Sequence, residues 1–279
     1  MYSFTRYLTA KKTVDDRALN RHVWDKMVEQ LPKRPFSILE VGAGIGTMIE
    51  RFNEHRLLQN VRYTAIDSEP ANIDAAQQRL APLAAHVDLA LETIDLFDFI
   101  RREQGQRTWD LLIAHAFLDL MDVPAALPQL FSLLPSGGHF YFTINFDGAT
   151  ILQPTIDADF DALVEQLYHR TMDERITDGK RSGDSRSGRH LFAQLTAAGA
   201  SVIAAGSSDW VVFAGENGYP ADEAYFLRFI VQTMAQALAD HPELDQARFD
   251  AWINRRHQQI DAGELVYVAH QLDFFGAIR

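Results

Sequence analysis

The residues best suited to chemistry in this chain form one glycine-rich stretch behind a short apolar run. Residues 38–47 have the sequence ILEVGAGIGT, and apolar residues at helical spacing follow them. Glycine lacks a Cβ, so at Gly42, Gly44 and Gly46 the backbone can turn sharply and approach a ligand. The first N–H groups of a helix behind this turn are free to face that ligand. The pattern predicts a strand, a tight turn and a helix, the first unit of a nucleotide-binding α/β domain.

The charge beside the turn favours a cationic ligand. Dinucleotide enzymes use the spacing G-x-G-x-x-G and place a pyrophosphate at the helix N-terminus. In this chain the third glycine of that pattern is replaced by Thr47, and Glu40 ends the strand. Because like charges repel at short range, Glu40 disfavours a pyrophosphate at this turn.

The E-x-G-x-G-x-G pattern resembles motif I of the class I methyltransferases that depend on S-adenosyl-L-methionine (SAM). Their ligand carries a sulfonium and an ammonium group. The resemblance implies that Gly42, Ala43, Gly44 and Gly46 admit the methionine part of SAM close to the backbone. It also implies that Glu40 meets the ammonium group, directly or through water.

A second carboxylate supports this interpretation. Residues 61–67 alternate as a β-strand and end on Asp67, 25 residues after Gly42. An acidic residue there can accept both ribose hydroxyls, and Ser68 lies beside it. In the family, the end of the third strand holds the adenine. That position corresponds here to Thr93-Ile94 with Glu92 beside them, but the customary Gly-Asp is absent, so the choice within 92–95 stays open.

The fourth and fifth strands extend the resemblance. The segment WDLLIAHAFLDLMDVPAALPQLFSLLPSGGHFYF, residues 109–142, looks like methyltransferase motifs IV to VI, so the similarity covers residues 36–147. His115 is a candidate base or a lining residue of the sulfonium pocket, and Asp119 or Asn145 are candidates to bind substrate. A packed, hydrogen-bonded histidine is the alternative. The Asn/Asp-Pro-Pro-Tyr segment of many amine methyltransferases is missing, which favours a small-molecule acceptor.

The N-terminal segment, residues 1–35, is expected to cover the site. Leu19, Val23, Met27 and Leu31 recur every four residues and predict one amphipathic helix that ends before Pro32. Its polar side includes Tyr7 and Arg17, and pre-motif segments of the family close over the ligand. Arg17 is the expected partner of the methionine carboxylate, since a guanidinium binds a carboxylate bidentately. A solvated arginine is the alternative.

The rest of the chain predicts additions to a single domain of residues 1–279. Residues 36–147 form the cofactor-binding core and 148–190 an insert, in which loop 179–189 is either a lid over substrate or a surface loop. Residues 191–215 and 263–279 complete the sheet, and 216–262 predict two helices that are either a cap or a dimer face. Further matches to a bacterial branch of the family identify no acceptor.

Composition narrows the function classes. The chain has 279 residues, no cysteine and a formal charge of −12. Absence of cysteine excludes disulfides, cysteine–zinc sites and thiol catalysis, and fits the cytoplasm. The acidity argues against broad nucleic-acid binding, and no apolar stretch is long enough to span a membrane. The histidines and carboxylates show no metal-ligand spacing, so no metal is expected.

These observations predict an α/β protein with a doubly wound, seven-stranded, mostly parallel sheet of the class I methyltransferase type and helical inserts that form a cap. The resemblance implies methyl transfer from SAM to an O, N or C atom of a small molecule, with S-adenosyl-L-homocysteine (SAH) as product. Two alternatives remain: a non-catalytic SAM-binding protein of this fold, and a nicotinamide-dependent oxidoreductase.

Overall fold

The computed structural model describes residues 2–177 and 179–279, without the side chain of Lys180. Ten helices and ten strands are described in this part of the chain. The helices are α1 Phe4–Ala18, α2 Arg21–Gln30, α3 Thr47–Glu54, α4 Pro70–Ala84, α5 Leu96–Glu103, α6 Val123–Phe131, α7 Ala158–Asp173, α8 Ser187–Ala197, α9 Glu223–Ala237 and α10 Gln246–Asp261. A short 3₁₀ helix, Leu118–Leu120, follows the fourth strand.

The strands are β1 Phe36–Val41, β2 Val61–Asp67, β3 Asp88–Thr93, β4 Leu111–His115, β5 His139–Gln153, β6 Ile176–Thr177, β7 Lys180–Arg181, β8 Ala200–Ser207, β9 Trp210–Val212 and β10 Val266–Ile278. The main sheet has the order β3-β2-β1-β4-β5-β10-β8, and β9 also pairs with β10. The first five strands are parallel and β10 is antiparallel to its neighbours. This confirms the predicted α/β fold, with the short β9 as an eighth strand.

The register places Glu40, Asp67 and Thr93 at one edge of the sheet. Glu40 of β1 pairs with Ala65 of β2 and Ile113 of β4, and Asp67 pairs with Thr93 at the end of β3. Parallel strands buried on both faces carry continuous apolar runs, which is why β1 and β4 are recognisable in the sequence. Their carboxyl ends open towards the crevice in which doubly wound sheets bind ligands.

The prediction of one N-terminal helix is wrong: the segment forms two helices, α1 and α2, that meet at Leu19 and Asn20. Asn20 caps α2, because its side-chain Oδ1 accepts a hydrogen bond from the Val23 N–H at 3.1 Å. The Asn20 N–H donates to Asp273 of β10 at 2.8 Å, and its amide donates to the Ser207 carbonyl at 2.9 Å. These tertiary bonds fix a turn at the start of the four-residue apolar repeat, and α2 follows the rest of that repeat.

The insert and the cap pack as one layer over the sheet. Strand β5 continues to Gln153 alongside β10, so the sheet extends beyond the core predicted to end at residue 147. Helix α9 packs against α1, α7 and α10, and its apolar residues join a core that includes Tyr7, Trp210 and Tyr267. Among the described residues, none of the helices is long and apolar enough to cross a membrane.

Candidate cofactor and acceptor site

The glycine turn has the backbone that only glycine adopts readily. Gly42, Gly44 and Gly46 have φ of +63°, +54° and +80°. The Ala43 N–H donates to the Ile66 carbonyl at 2.9 Å, which ties the turn to β2. A Cβ on Gly42 would lie 2.2 Å from the Phe117 ring, so the ring leaves no room for a side chain at this position. The turn therefore fits a ligand that contacts backbone directly.

Helix α1 and the segment after β4 lie over this turn. A Cβ on Gly44 would lie 3.3 Å from Leu8 of α1, while Phe117 covers Gly42. The methionine part of a cofactor held at the turn would be enclosed by these two elements, as the sequence predicts for the N-terminal segment.

Glu40 is a buried carboxyl group beside the turn. It is 1% exposed, and its Oε2 accepts a hydrogen bond from the Tyr63 hydroxyl at 2.8 Å. Burial raises the pKa of Glu40 to about 8, although the Tyr63 hydroxyl and the charge of Arg51 act in the opposite direction. Without a cation next to it, Glu40 is therefore mostly protonated at neutral pH, and a cationic ligand would favour its ionised form.

Asp67 connects the end of β2 to the turn. Its Oδ2 accepts the Gly44 N–H at 2.8 Å, and its Oδ1 accepts the Glu69 N–H at 2.9 Å and the Asn72 amide at 3.1 Å. A carboxylate has about four acceptor positions, so Asp67 can hold the turn and still accept ribose hydroxyls. The proposed ribose contact stays a prediction that this geometry permits.

The predicted adenine side lies at the neighbouring strand ends. Ser68 and Thr93 are exposed and Ile94 is half-buried. The Ile94 N–H donates to the Asp67 carbonyl at 3.0 Å, and Glu92 forms a two-bond ion pair with Arg102. Hydrogen bonds from Arg102 lower the pKa of Glu92. These bonds do not involve the hydroxyl group of Thr93.

His115, at the end of β4, lies inside a buried polar network. Its Nε2 lies 3.0 Å from Asp15 of α1 and its Nδ1 lies 2.8 Å from the Thr143 hydroxyl. A carboxylate only accepts, so Nε2–H donates to Asp15 and Nδ1 accepts from Thr143. Burial lowers the pKa of His115 to about 4, against the opposing effect of Asp15. In this tautomer the lone pair of His115 is on Nδ1, where it accepts from Thr143, so a role as base would require Thr143 to give up that bond.

Asp15 is the centre of this network. Lys11 donates to Asp15 Oδ2 at 2.5 Å and the Trp210 indole donates to Oδ1 at 2.8 Å. Burial opposes ionisation, but Lys11 and His115 hold the pKa of Asp15 well below its usual range. Arg51 of α3 donates from Nε to Asp16 at 2.5 Å, while its buried Nη2 lies 3.7 Å from Asp15 and has no hydrogen-bond partner in the described part of the chain. The network joins α1, the helix after the glycine turn and the end of β4.

Arg17 points away from the crevice in this structure. Its guanidinium forms two bonds, of 2.6 and 2.8 Å, with the carboxylate of Glu223 on α9, which is fully buried. The ion pair fixes α1 to the cap. Binding of a methionine carboxylate by Arg17 stays a prediction, and it would have to compete with Glu223.

The three predicted substrate residues occupy different surroundings. Tyr7 is buried against Phe226 and Phe229, while Asn145 is fully buried in β5 and donates to the Leu272 carbonyl at 2.8 Å. Asp119 lies on the 3₁₀ helix after β4, and its Oδ1 is a buried atom without a hydrogen-bond partner. Of the three, Asp119 presents an unpaired charged group to the interior.

Sequence reasoning did not identify Asp15, Arg51, Trp210, Thr143 or Phe117 as residues of this region. A usable signal was the buried position of Arg51 on the apolar face of α3, since a buried arginine requires an acidic partner.

Comparison with known proteins agrees with this geometry. Residues 39–140 match the family model described as "Methyltransferase domain". A SAM-dependent methyltransferase from Thiobacillus denitrificans in complex with SAH has a similar structure, with a TM-score of 0.51, 14% identity and coverage of 100% of both chains. The cyclopropane synthase MmaA2 from Mycobacterium tuberculosis is similar with a TM-score of 0.50, 12% identity and 99% coverage of both chains.

A phosphoethanolamine N-methyltransferase from Haemonchus contortus in complex with SAM is also similar, with a TM-score of 0.51 and 12% identity. The similarity covers 99% of this chain and 57% of that one. No curated protein gave a match. At these identities the structural likeness shows the fold, and the family model describes residues 39–140. Residues 39–140 of this chain therefore form a methyltransferase domain, set in the fold of the class I SAM-dependent methyltransferases.

Proposed function

We propose that this chain transfers a methyl group from SAM to a small-molecule acceptor, and that residues 40–46 and Asp67 hold the cofactor. The observation that carries the proposal is the turn between β1 and α3. Three left-handed glycines lie there between a buried carboxyl group, Glu40, and a carboxylate at the end of the next strand, Asp67. SAM carries an ammonium group that would pair with Glu40 and ribose hydroxyls that would donate to Asp67.

The residues present fit the cofactor group by group. Glu40 would meet the ammonium, the backbone of Gly42 to Gly46 would face the methionine part, and Asp67 would accept from the ribose. Thr93 and Ile94 would border the adenine. When bound, SAM supplies an electrophilic methyl group, and the protein aligns the acceptor with it and excludes water.

The carboxylate of the methionine part has two candidate partners. Both guanidinium groups already bond a carboxylate, that of Glu223 for Arg17 and that of Asp16 for Arg51, but the buried Nη2 of Arg51 has no hydrogen-bond partner among the described residues. An unpartnered guanidinium nitrogen beside the glycine-turn helix favours Arg51, because a buried unpaired donor costs free energy that a carboxylate would recover. A cytoplasmic location also stays a prediction.

Calorimetric titration of the purified protein with SAM, SAH and NADH tests the proposal. We expect SAM and SAH to bind and NADH not to bind. Asp67→Asn keeps one acceptor oxygen but loses the charge, so binding of both adenosyl compounds should weaken by about tenfold, the loss of one charge-assisted bond. Asp88→Asn, an exposed residue at the opposite end of β3, is the matched control and should bind normally.

Each result has a clear meaning. Binding of SAH that is weakened about tenfold in the Asp67 variant and unchanged in the Asp88 variant supports the proposal. Binding of NADH without SAM or SAH would refute it in favour of a nicotinamide-dependent oxidoreductase. Binding of SAM without SAH production, tested against a broad metabolite extract, would instead favour the non-catalytic SAM-binding alternative.

A further inference from the structure

A groove crosses the edge of the sheet that lies opposite the glycine turn. It runs along the amino ends of β4, β1, β2 and β3, has a volume of about 570 Å³, and is lined in part by Phe36, Leu58 and Val61. These three side chains are less than one-tenth exposed, so they form an apolar floor. Pockets for small organic ligands have volumes of about 300–1,000 Å³. The groove, here called the amino-edge groove, is therefore large enough for a small molecule.

The polar lining of the groove follows the register of the sheet. Ser37 of β1 pairs with Arg62 of β2, and Arg62 pairs with Asp88 of β3. Paired residues of neighbouring strands point to the same face, so these three side chains form a row. Asp110, directly before β4, ends the row, because its Oδ2 accepts the N–H of Ser37 at 2.9 Å. All four residues line the groove, with the guanidinium of Arg62 near its middle.

Arg62 has hydrogen-bonding capacity that the protein does not use. Its Nε donates to Asp88 at 3.1 Å, and within residues 2–177 and 179–279 its two Nη atoms form no hydrogen bond. Arg34, at the other end of the groove, is different, because its Nη2 donates to Asp110 at 2.5 Å and its Nη1 to the Pro35 carbonyl at 3.0 Å. A free pair of guanidinium N–H groups matches the two oxygens of a carboxylate or phosphate.

Two more lining residues, Asn60 and His86, have polar side chains available to a ligand. Both are exposed, and neither side chain bonds to another residue in the part of the chain that the structure describes. The amide of Asn60 and the ring of His86 can each donate a hydrogen bond. The acceptors of the groove are already engaged, since Asp110 bonds to Ser37 and Arg34 while Asp88 bonds to Arg62. The free groups of the groove are therefore mainly donors.

The connecting segments give the two edges of the sheet opposite charge. Segments that lead into parallel strands lie at the amino edge, and those that leave the strands lie at the carboxyl edge. The segments that lead into β1 to β5 hold four basic residues and one acidic residue: Lys33, Arg34, Arg56, Arg107 and Asp110. The segments that leave β1 to β4 hold no lysine or arginine and four acidic residues: Glu69, Asp95, Asp119 and Asp122. Although the formal charge of the chain is −12, the amino edge is basic and favours an anion.

Packing and helix ends do not account for Arg62. Cations near the C-termini of helices are favoured by the helix dipole, which is a sufficient reason for Arg56 just after α3. Arg62, in contrast, is the second residue of a strand. Its side chain is 60% exposed and that of Asp88 is 68% exposed, and such a surface ion pair contributes little to stability. The fold therefore does not require a guanidinium at this point of the groove.

We propose that the amino-edge groove is a second ligand site, for a small organic anion. The Nη atoms of Arg62 bind the carboxylate or phosphate of this ligand, and its apolar body lies on Phe36, Leu58 and Val61. The site is independent of the methyltransferase function proposed above, because it lies at the edge of the sheet opposite Glu40 and the glycine turn.

Titration with benzoate and benzamide, followed by NMR of the backbone amides, tests the site. The two probes have nearly the same shape, and only benzoate is charged. We expect benzoate to bind about tenfold more tightly, the effect of charge-assisted hydrogen bonds to a guanidinium. It should shift the amide signals of Ser37, Arg62 and Asp88. Equal binding of the two probes, or shifts confined to other parts of the protein, would overturn the proposal.

Phenyl phosphate and inorganic phosphate complete the set of probes. Tighter binding of benzoate or of phenyl phosphate identifies the preferred head group as a carboxylate or a phosphate. Inorganic phosphate lacks the ring, so it should bind at least about tenfold more weakly than phenyl phosphate, because it buries no apolar surface on the floor of the groove. Equal binding of the two phosphates would refute the part of the proposal that concerns the floor.

Three variants with opposite expectations assign the preference to residues. Arg62→Gln should reduce benzoate affinity about tenfold and leave benzamide binding unchanged. Asp88→Asn removes the carboxylate that competes for Arg62, so it should strengthen benzoate binding by about threefold. Arg56→Gln is the matched control, since Arg56 is an exposed arginine of the same edge that does not line the groove. An equal loss of benzoate binding in Arg56→Gln and Arg62→Gln would show attraction by the edge as a whole and overturn the site.

Titration of benzoate into protein saturated with SAH separates this site from the cofactor site. Benzoate affinity that is the same with and without SAH supports a separate site. Loss of benzoate binding in the presence of SAH would place benzoate at the cofactor site and overturn the proposal. Failure of SAH itself to bind would count against the methyltransferase function, while the benzoate and benzamide titrations would still decide the amino-edge groove.

Discussion

Glu40 should release a proton when the cofactor binds. Its pKa of about 8 means that the carboxyl group is about 90% protonated at pH 7 in the unliganded protein. An ammonium group within ~4–6 Å lowers the pKa of a carboxyl by about 1–3 units. The bound form would then be about half ionised to almost fully ionised, so binding should release about 0.4–0.9 protons at pH 7.

Calorimetry with SAH at pH 7 measures this release. SAH carries the ammonium group but no sulfonium, so the experiment isolates the contact with Glu40. Titrations in buffers of different ionisation enthalpy give the number of protons as the slope of the observed enthalpy. Glu40→Gln can still accept the Tyr63 hydroxyl but cannot ionise, and its slope should be close to zero.

Two controls make the result specific. 5′-Methylthioadenosine lacks the amino-acid part, so it should bind wild-type protein without proton release. Glu29→Gln changes an exposed glutamate of α2 that pairs with Lys26, and it should release as many protons as the wild type. Release of the same number of protons by Glu40→Gln, or no release by the wild type, would refute the assignment of Glu40 to the ammonium.

The same pKa affects stability without ligand. A carboxyl whose pKa is raised by folding from 4.5 to about 8 destabilises the folded state progressively as pH rises through that interval. From pH 4.5 to pH 7 the expected loss is about 3 kcal/mol, at ~1.4 kcal/mol per unit. The free energy of unfolding of Glu40→Gln, relative to wild type, should therefore rise by about this amount over the same interval in urea denaturation.

Three further predictions concern the turn, the polar network and the sheet. Gly42→Ala places a Cβ 2.2 Å from Phe117 at a φ of +63° and should abolish SAH binding. Gly105→Ala is its control, because Gly105 also has a left-handed φ, of +75°, but nothing lies within 4 Å of the added Cβ. This control should lower the free energy of unfolding by about 1–2 kcal/mol through the strained backbone and bind SAH normally. Lys11→Met leaves Asp15 without its closest cation and should lower the free energy of unfolding by about 3 kcal/mol. It should also raise the pKa of His115 above its value of about 4, which NMR can follow. An unchanged His115 titration would contradict the network. Burial raises the pKa of Asp273 to about 6, so folding stability falls as pH rises from about 4 to 6; Asp273→Asn should remove about 3 kcal/mol of that pH dependence, and an identical profile in urea denaturation would count against it.

The local parts of the fold could be predicted because they depend on short patterns. The strand, turn and helix that begin at residue 38 follow from an apolar run, three glycines and a helical repeat. Each of these features determines local structure through residues close together in sequence. The buried strands β1 and β4 are recognisable for the same reason, since both faces of a parallel sheet are covered by helices. The edge at which Glu40, Asp67 and His115 assemble then follows from parallel pairing.

The break between α1 and α2 could not be predicted in this way. The apolar repeat from Leu19 to Leu31 is continuous, and the turn at Asn20 depends on Asp273 and Ser207, more than 180 residues away in sequence. Asp273 lies where β10 is irregular, and it also accepts the N–H of Ile144 at 2.7 Å. Ile144 has a φ of +57°, which is unusual for a β-branched residue. One buried carboxylate thus supports two departures from regular structure, both held by contacts distant in sequence.

The buried charges around Asp15 reveal more about function than the helix repeat does. Lys11 and Asp15 from α1, Arg51 from α3 and His115 from β4 are all less than one-tenth exposed. Burying such a group is costly, and apolar residues of similar volume often give equal or greater stability. Packing α1 onto the sheet therefore does not require these charges. A ligand with an ammonium and a carboxylate does require fixed partners of both signs, and the partners proposed above, Glu40 and Arg51, are both buried. The charges that the fold does not need are those that a zwitterionic cofactor would use.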